Sequence, residues 1–233
     1  GADAVEVSLR TRGGVLVVPV MASDGTELAF ALSTGSTGTV ASESGRARIG
    51  EGGTLTLGGL PVPTESIHTV PDERLTVEGT LLDGMVGANM LNGFDILVDV
   101  PGGRLALRPV GRSPEWEGAG LGEPVLLRVY HGIVLGLDVE VNGTGYPAML
   151  DLGTPSLLIN ERVKEEAGVE GGRARSVRVG AATFTDLPAE LSDHPVFHRF
   201  SPAGDGFVIV GAAVALDCAL SISWVHRELR TCG

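Results

Sequence analysis

"FALSTGSTG" at residues 30–38 and "AMLDLGTPS" at residues 148–156 decide how this chain is read. Each starts as an apolar strand and breaks into a short loop, which opens on Ser33 in the first copy and on Asp151 in the second. Gly35 and Gly153 follow two residues later, where a glycine lets a tight turn approach its neighbour closely. At the offset of 118 that joins Ser33 to Asp151, residues 7–35 fall on 125–153 without a gap. Val7 then meets Val125, Leu9 meets Leu127, Arg10 meets Arg128 and Gly14 meets Gly132. Gly25, Thr26 and Leu32 meet Gly143, Thr144 and Leu150 in the same way. A repeat at fixed offset takes precedence over local assignments.

The turns of the two copies also correspond. Asp24-Gly25 and Asn142-Gly143 supply the positive φ angles of a two-residue type I′ hairpin, so each half is expected to open on one. A second correspondence joins residues 84–109 to 207–231. It sets Met85-Val86-Gly87 opposite Ile209-Val210-Gly211, Asp95 opposite Asp217, and Leu107-Arg108 opposite Leu229-Arg230. Between the halves, "PVGRSPEWEGAGLGEP" at 109–124 is rich in Pro, Gly and charge, as linkers are. Short apolar strands punctuated by Gly, Asp and Pro recur throughout. The expected fold is all-β with a few short helices: a lobe over 1–108, a linker over 109–124 and a second, pseudo-symmetric lobe over 125–233.

Composition narrows the functional classes. With 43% hydrophobic residues in 233, the chain has material for a substantial core. Its apolar runs, such as "GVLVVPVM" and "GFVIVGAAVAL", fall well short of the roughly 20 residues a membrane helix needs, so no span is expected. The opening "GADAVEVSL" has neither the basic nor the apolar stretch of a targeting peptide, which leaves localisation to other features. A formal charge of −12 repels phosphate backbones and makes nucleic acid an unsuitable partner. Cys218 and Cys232 either close a disulfide loop, contributing roughly 3 kcal/mol, or remain two buried thiols of a reducing compartment. No Cys/His cluster suggests zinc.

The order of these elements resembles the aspartic peptidases of the pepsin and retropepsin type. In that family an apolar strand runs into an Asp-Thr-Gly-Ser/Thr loop, followed by a flap hairpin and then two apolar residues and a glycine before a short helix. Here Asp151-Leu152-Gly153-Thr154 after "AML", and the elements ending at Gly87 and Gly211, carry the likeness over nearly the whole chain. The resemblance implies two retropepsin-like β-barrel lobes, a peptide held in the cleft between them and no cofactor or metal. It also implies a monomer, because both loops are already in one chain, and a secreted or periplasmic location. Catalysis in the family uses two carboxylates that share one proton and a water. Ser36 and Thr154 occupy the positions whose hydroxyls bond those carboxylates, and Thr34 occupies that of the residue bracing one loop against the other.

Two positions depart from the pattern: Ser33 replaces the first aspartate, and Leu152 replaces the second bracing threonine. A serine hydroxyl of ordinary acidity cannot act as the general base. The expected function is therefore peptide binding by a homologue with a degenerate dyad and little or no hydrolysis. The alternatives are an active endopeptidase using a displaced second acid, Asp24 or Asp83, a laboratory Asp→Ser change, and a structural module with a relic cleft. Ser33 as a hydrolase nucleophile is disfavoured, since "LSTGS" is not a Gly-x-Ser-x-Gly elbow. Residues 45–63 and 172–191 both begin with Gly-Arg-Ala-Arg and are expected to form equivalent hairpins, either as flaps or as ordinary edge hairpins. "SDHPVFHRF" at 192–200 carries Asp193, His194 and His198, and a His-x-x-x-His spacing can bind metal on a helix. Pro195 argues against a regular helix, so a solvated loop is expected ahead of a cleft-rim segment that contacts ligand or a metal site.

Overall fold

The computed structural model describes residues 4–233 and is mostly β, with 46% strand and 14% helix. The first half runs β1 (Val5–Ser8), β2 (Arg10–Arg12), β3 (Val15–Ala22), β4 (Glu27–Leu32), β5 (Val40–Ser42), α1 (Glu43–Ile49), β6 (Leu55–Leu57), β7 (Leu60–Val62) and β8 (His68–Val70). It continues through a 3₁₀ turn at Asp72–Leu75, the small hairpin β9 (Thr76–Val77) and β10 (Thr80–Leu81), then β11 (Gly84–Val86), α2 (Ala88–Leu91), β12 (Phe94–Asp99) and β13 (Arg104–Pro109). The second half runs β14 (Val125–Leu126), β15 (Arg128–Tyr130), β16 (Val134–Val141), β17 (Thr144–Leu150), β18 (Leu157–Ile159) and α3 (Glu161–Ala167). After it come β19 (Arg173–Val179), β20 (Ala182–Leu191), α4 (Pro195–Phe200), β21 (Val208–Val210), β22 (Leu220–Ser223) and β23 (Glu228–Thr231).

The two halves share one strand plan. In the first, the order β7-β6-β3-β4-β11-β5-β8 curls into a half-barrel; in the second, β15-β16-β17-β21-β18-β20-β19 closes a six-strand barrel through β16–β19 pairing. Each central strand gains a parallel partner late in its half: Gly84–Val86 lies beside Phe30–Leu32, and Val208–Val210 beside Ala148–Leu150. A third sheet, β1-β13-β12-β22-β23-β14, takes strands from both halves and joins them where Asp95 faces Ser223 and Val98 faces Leu220. Phe30, Leu32, Leu150, Ile96 and Ile222 belong to one continuous buried core, so the halves share their hydrophobic interior.

Strand register corrects the repeat in detail. Asn142 and Gly143 both take positive φ and form the expected two-residue turn. The first hairpin instead closes over three residues, Ser23-Asp24-Gly25, with the Ala22 N–H on the Thr26 carbonyl and only Gly25 at positive φ. One turn earlier the difference reverses, because Gly13-Gly14 is the shorter link and His131-Gly132-Ile133 the longer. The two differences cancel, so β3 maps on β16 one residue away from the ungapped alignment: Val17 faces Ala31, and Gly136 faces Met149. At the C-terminal end, β12–β13 and β22–β23 have turns of equal length, with Asp99 facing Arg104 and Ser223 facing Glu228. Asp95 therefore corresponds to Ala219 and Leu107-Arg108 to Thr231-Cys232, two residues from the expected partners. A two-residue slip in a strand keeps the same face, so hydrophobic pattern alone cannot detect it.

The paired Gly-Arg-Ala-Arg segments are not equivalent. Gly45–Arg48 lie in α1, capped by Ser42, whereas residues 172–175 enter β19. The counterpart of α1 is α3, which Asn160 caps and Gly168 ends in the left-handed conformation. Of the two expected hairpins, 172–191 forms one along its length, while 45–63 is half helix before the short β6–β7 hairpin. Residues 195–200 are also helical, contrary to expectation, because Pro195 takes the first helical position, where its missing N–H costs nothing, and His194 caps it.

Cys218 and Cys232, 14 positions apart in sequence, are joined in a disulfide with Cα atoms 5.6 Å apart. Among the described residues no cysteine is free. Replacing both cysteines by serine is expected to lower stability by about 3 kcal/mol, the loop-closure entropy returned to the unfolded chain. Urea unfolding of the variant beside the parent measures it, and unchanged midpoints would show that the bridge contributes nothing.

Candidate functional site

Ser33 and Asp151 come together side by side. Each ends the central strand of its half and is fixed by the strand beside it: the Ser33 N–H donates to the Val86 carbonyl and the Asp151 N–H to the Val210 carbonyl, both at 2.9 Å. Each loop is then pinned further on, as the Ala88 N–H reaches the Ser36 carbonyl and the Ala212 N–H the Thr154 carbonyl, both at 2.7 Å. Gly87 and Gly211 allow this approach, since a Cβ on Gly87 would run into the Ser36 and Gly38 carbonyls and one on Gly211 into those of Thr154 and Ser156.

Between the loops, the Ser33 Oγ donates to Asp151 Oδ1 at 3.2 Å. That oxygen also accepts the Gly153 N–H at 2.8 Å and the Gly35 N–H at 3.1 Å, so three donors converge on one carboxylate oxygen. The Ser33 hydroxyl itself accepts the Ser36 N–H at 3.0 Å and the Gly35 N–H at 3.3 Å. Gly35 and Gly153 have no room for side chains: a Cβ on the first would fall on the Asp151 carboxylate, and one on the second would crowd the Ser33 hydroxyl. Ser33 is buried, whereas Asp151 keeps partial access to solvent.

One half of the inter-loop brace is present. Thr34, fully buried, donates through Oγ1 to the Leu150 carbonyl at 3.3 Å and accepts the Leu152 N–H at 3.0 Å. Leu152, equally buried, has no hydroxyl to return the contact and joins the apolar core instead. The expected hydroxyl contacts to the carboxylate are not made. Ser36 Oγ donates to the Gly38 carbonyl at 2.9 Å, and Thr154 Oγ1 to the Asp151 backbone carbonyl at 3.0 Å. Backbone carbonyls within each loop accept from both hydroxyls instead.

Comparison of the chain with protein-family models finds no match, and comparison with curated proteins finds none either.

Neither candidate second acid is available to Asp151. Asp24 is held at its turn by Thr26, whose side-chain hydroxyl first and backbone N–H second keep the carboxyl below its usual range. Asp83 is buried inside the first half, where it accepts the Ala29 N–H at 2.9 Å and the Arg48 guanidinium at 2.8 Å. Among the described residues no group of three His, Cys, Asp or Glu side chains could hold a metal. In 192–200, Asp193 and His198 pair with each other at 2.8 Å on the exposed side of α4, while Phe197 turns inward. Sequence reading missed the Gly13-Gly14 turn, which reaches the other half's loop closely enough that a Cβ on Gly14 would stand 3.0 Å from Pro155. The two adjacent glycines were the available signal.

Proposed function

We propose that the chain is a double-lobed relative of the pepsin and retropepsin type of aspartic peptidase, with a degenerate dyad that binds an extended peptide or protein segment without hydrolysing it. The observation that carries this reading is the Ser33–Asp151 hydrogen bond between two loops 118 residues apart in sequence. On this reading Ser33 contributes a hydroxyl in the role for which the reaction requires a second carboxylate. Peptide hydrolysis at such a centre needs one carboxylate to take a proton from water while its protonated partner polarises the scissile carbonyl. Asp151 alone supplies one of the two roles. The Ser33 hydroxyl already donates to Asp151 and accepts two backbone N–H groups, so it has no proton free for a substrate carbonyl.

Binding asks less of the loops. An extended peptide recognised through its main chain needs acceptors and donors at fixed spacing and pockets for alternate side chains. A single chain holding both loops has no need of a second copy, and monomer is the proposed state. The disulfide is of the kind that persists in oxidising compartments, and no helix among the described residues is long and apolar enough to cross a membrane. A secreted or periplasmic location is therefore part of the proposal.

The test is immobilised protein exposed to a mixed peptide library between about pH 3 and 7, with bound and unbound fractions read by mass spectrometry. A retained subset recovered intact is the expected result. Cleavage that disappears in Asp151→Asn would mean an active enzyme and overturn the proposal. Retention of nothing at any pH would leave the fold as a structural module with a relic cleft.

A further inference from the structure

Residues 109–124, which read as a linker in the sequence, are strapped onto the shared six-stranded sheet. Near their start, the His226 Nε2–H donates to the Gly111 carbonyl at 2.7 Å. In the middle, Arg108 of β13 donates to the carbonyls of Ser113 and Glu115, and its guanidinium carbon lies 4.0 Å from the centre of the Trp116 ring. Near their end, the Gly122 N–H donates to the Thr231 carbonyl of β23 at 2.7 Å. Held at three places, the segment forms a fixed wall. A pocket of about 550 Å³ lies against it, lined by Ser113, Glu115, Trp116, Glu117, Leu121 and Arg230. None of these residues belongs to the Ser33 or Asp151 loop.

Arg230 shows what the pocket lacks. Only 16% of its side chain is exposed, yet none of its contacts is close. Nη1 reaches the Gly122 carbonyl at 3.4 Å, and Nη2 reaches Glu228 at 3.4 Å and Glu115 at 3.6 Å. Its buried Nε–H has no partner among the described residues, and neither has the buried Nε1–H of Trp116. A buried donor without an acceptor costs free energy, so two in the lining of one pocket mark a place the chain does not satisfy by itself. We propose that this pocket binds a neutral saccharide. A carboxylate or other anion offers acceptors to Arg230 and Trp116 but meets the carboxylates of Glu115 and Glu117, in a chain of formal charge −12. A cation offers only donors and leaves Arg230 and Trp116 as they are. A hydroxyl donates and accepts at once, so neighbouring hydroxyls can accept from Arg230 while donating to Glu115 or Glu117. Trp116 and Leu121 supply apolar surface for the C–H face of a sugar ring. The volume lies within the range of about 300–1,000 Å³ for small-molecule sites and suits one or two such rings.

The test is an NMR titration of isotope-labelled protein with maltose, cellobiose and lactose. Acetate, which offers acceptors only, and methylammonium, which offers donors only, are the charged controls. Trp116 and Trp224 are the two tryptophans, so there are two indole N–H signals, and Trp116→Phe assigns them. Trp224 donates to the Ile133 carbonyl at 2.8 Å and serves as the internal reference. The expected result is a saturable shift of the Trp116 signal with at least one of the sugars and with neither control, while Trp224 stays in place. Arg230→Met should weaken binding roughly tenfold, the loss of a hydrogen bond to a charged group. If the Trp224 signal also moves in that variant, Glu117→Ala at its exposed position is the second variant and should weaken binding about threefold. No saturable shift with any sugar, an equal shift with acetate or methylammonium, or sugar binding indifferent to both variants overturns the proposal. Because no loop residue takes part, Asp151→Asn should bind the sugar as the parent does, and a peptide library from which nothing is retained refutes the cleft while leaving this pocket.

Discussion

Ser33→Asp is expected to cleave peptides in the acid range, where the parent chain is expected to leave them intact. The Ser33 Cα already sits at the position from which its side chain meets Asp151, with Oγ 3.2 Å from Oδ1. An aspartate there finds donors in place, because the Gly35 and Ser36 N–H groups that now serve the hydroxyl can serve a carboxylate. Two carboxylates so close cannot both ionise freely, so they hold one proton between them and titrate as a pair with separated apparent values. Activity should rise as the first proton leaves and fall as the shared one does, giving a bell-shaped profile. General acid–base catalysis by a positioned group contributes roughly 10²–10⁴-fold, and a gain of at least about 10² over the parent is the expected size. Leu152→Thr, added to Ser33→Asp, should raise the rate further by restoring the second half of the brace that Thr34 now makes alone. The assay is cleavage of the peptide library by mass spectrometry, with Asp151→Asn as the inactive partner. If both the single and the double variant leave every peptide intact, the loops lack the geometry of a disabled dyad and their likeness to that family is superficial.

Much of this arrangement was legible because the loops are constrained at many atoms at once. Ser33, Gly35, Gly87 and their counterparts each answer a close backbone approach that few residue types allow, so their spacing survives in the sequence as a visible repeat. Features that depend on register were hidden. A three-residue turn at Ser23–Gly25 and a two-residue turn at Gly13-Gly14 compensate for one another, so an ungapped match looks continuous while one strand within it has shifted. The shift matters because it sets Val17 against Gly136 and accounts for a filled face in one half and a pocket in the other. Gly-Arg-Ala-Arg misled for the opposite reason. Four identical residues form helix in one place and strand in the other, because Ser42 caps the first run while the second pairs with Leu187 and Pro188. The hydroxyls of Ser36 and Thr154 could not be placed from sequence either, since each chooses among acceptors that exist only once the loop has closed.

The same constraint predicts where the fold is least tolerant. Gly87→Val and Gly211→Val are each expected to cost about 4 kcal/mol or more, at the far end of the range for single substitutions. In both, the added Cβ collides with backbone carbonyls of the loop and not with a side chain that could rotate away. The Ser36 and Thr154 carbonyls involved are those that accept the Ala88 and Ala212 N–H groups, so relieving the collision means breaking the bond that pins each loop. Gly145→Val is the control, because its Cβ would meet nothing within 4 Å and the residue is exposed on β17. Its effect should stay within about 0.5 kcal/mol. Urea unfolding of the three variants measures all of this, with methionine methyl spectra showing which half has loosened. Severe loss at one glycine and tolerance at the other would mean that the two halves do not hold their loops alike. Comparable losses, each spreading to the opposite half through the common core and the shared six-stranded sheet, are what two interlocked copies of one strand plan require.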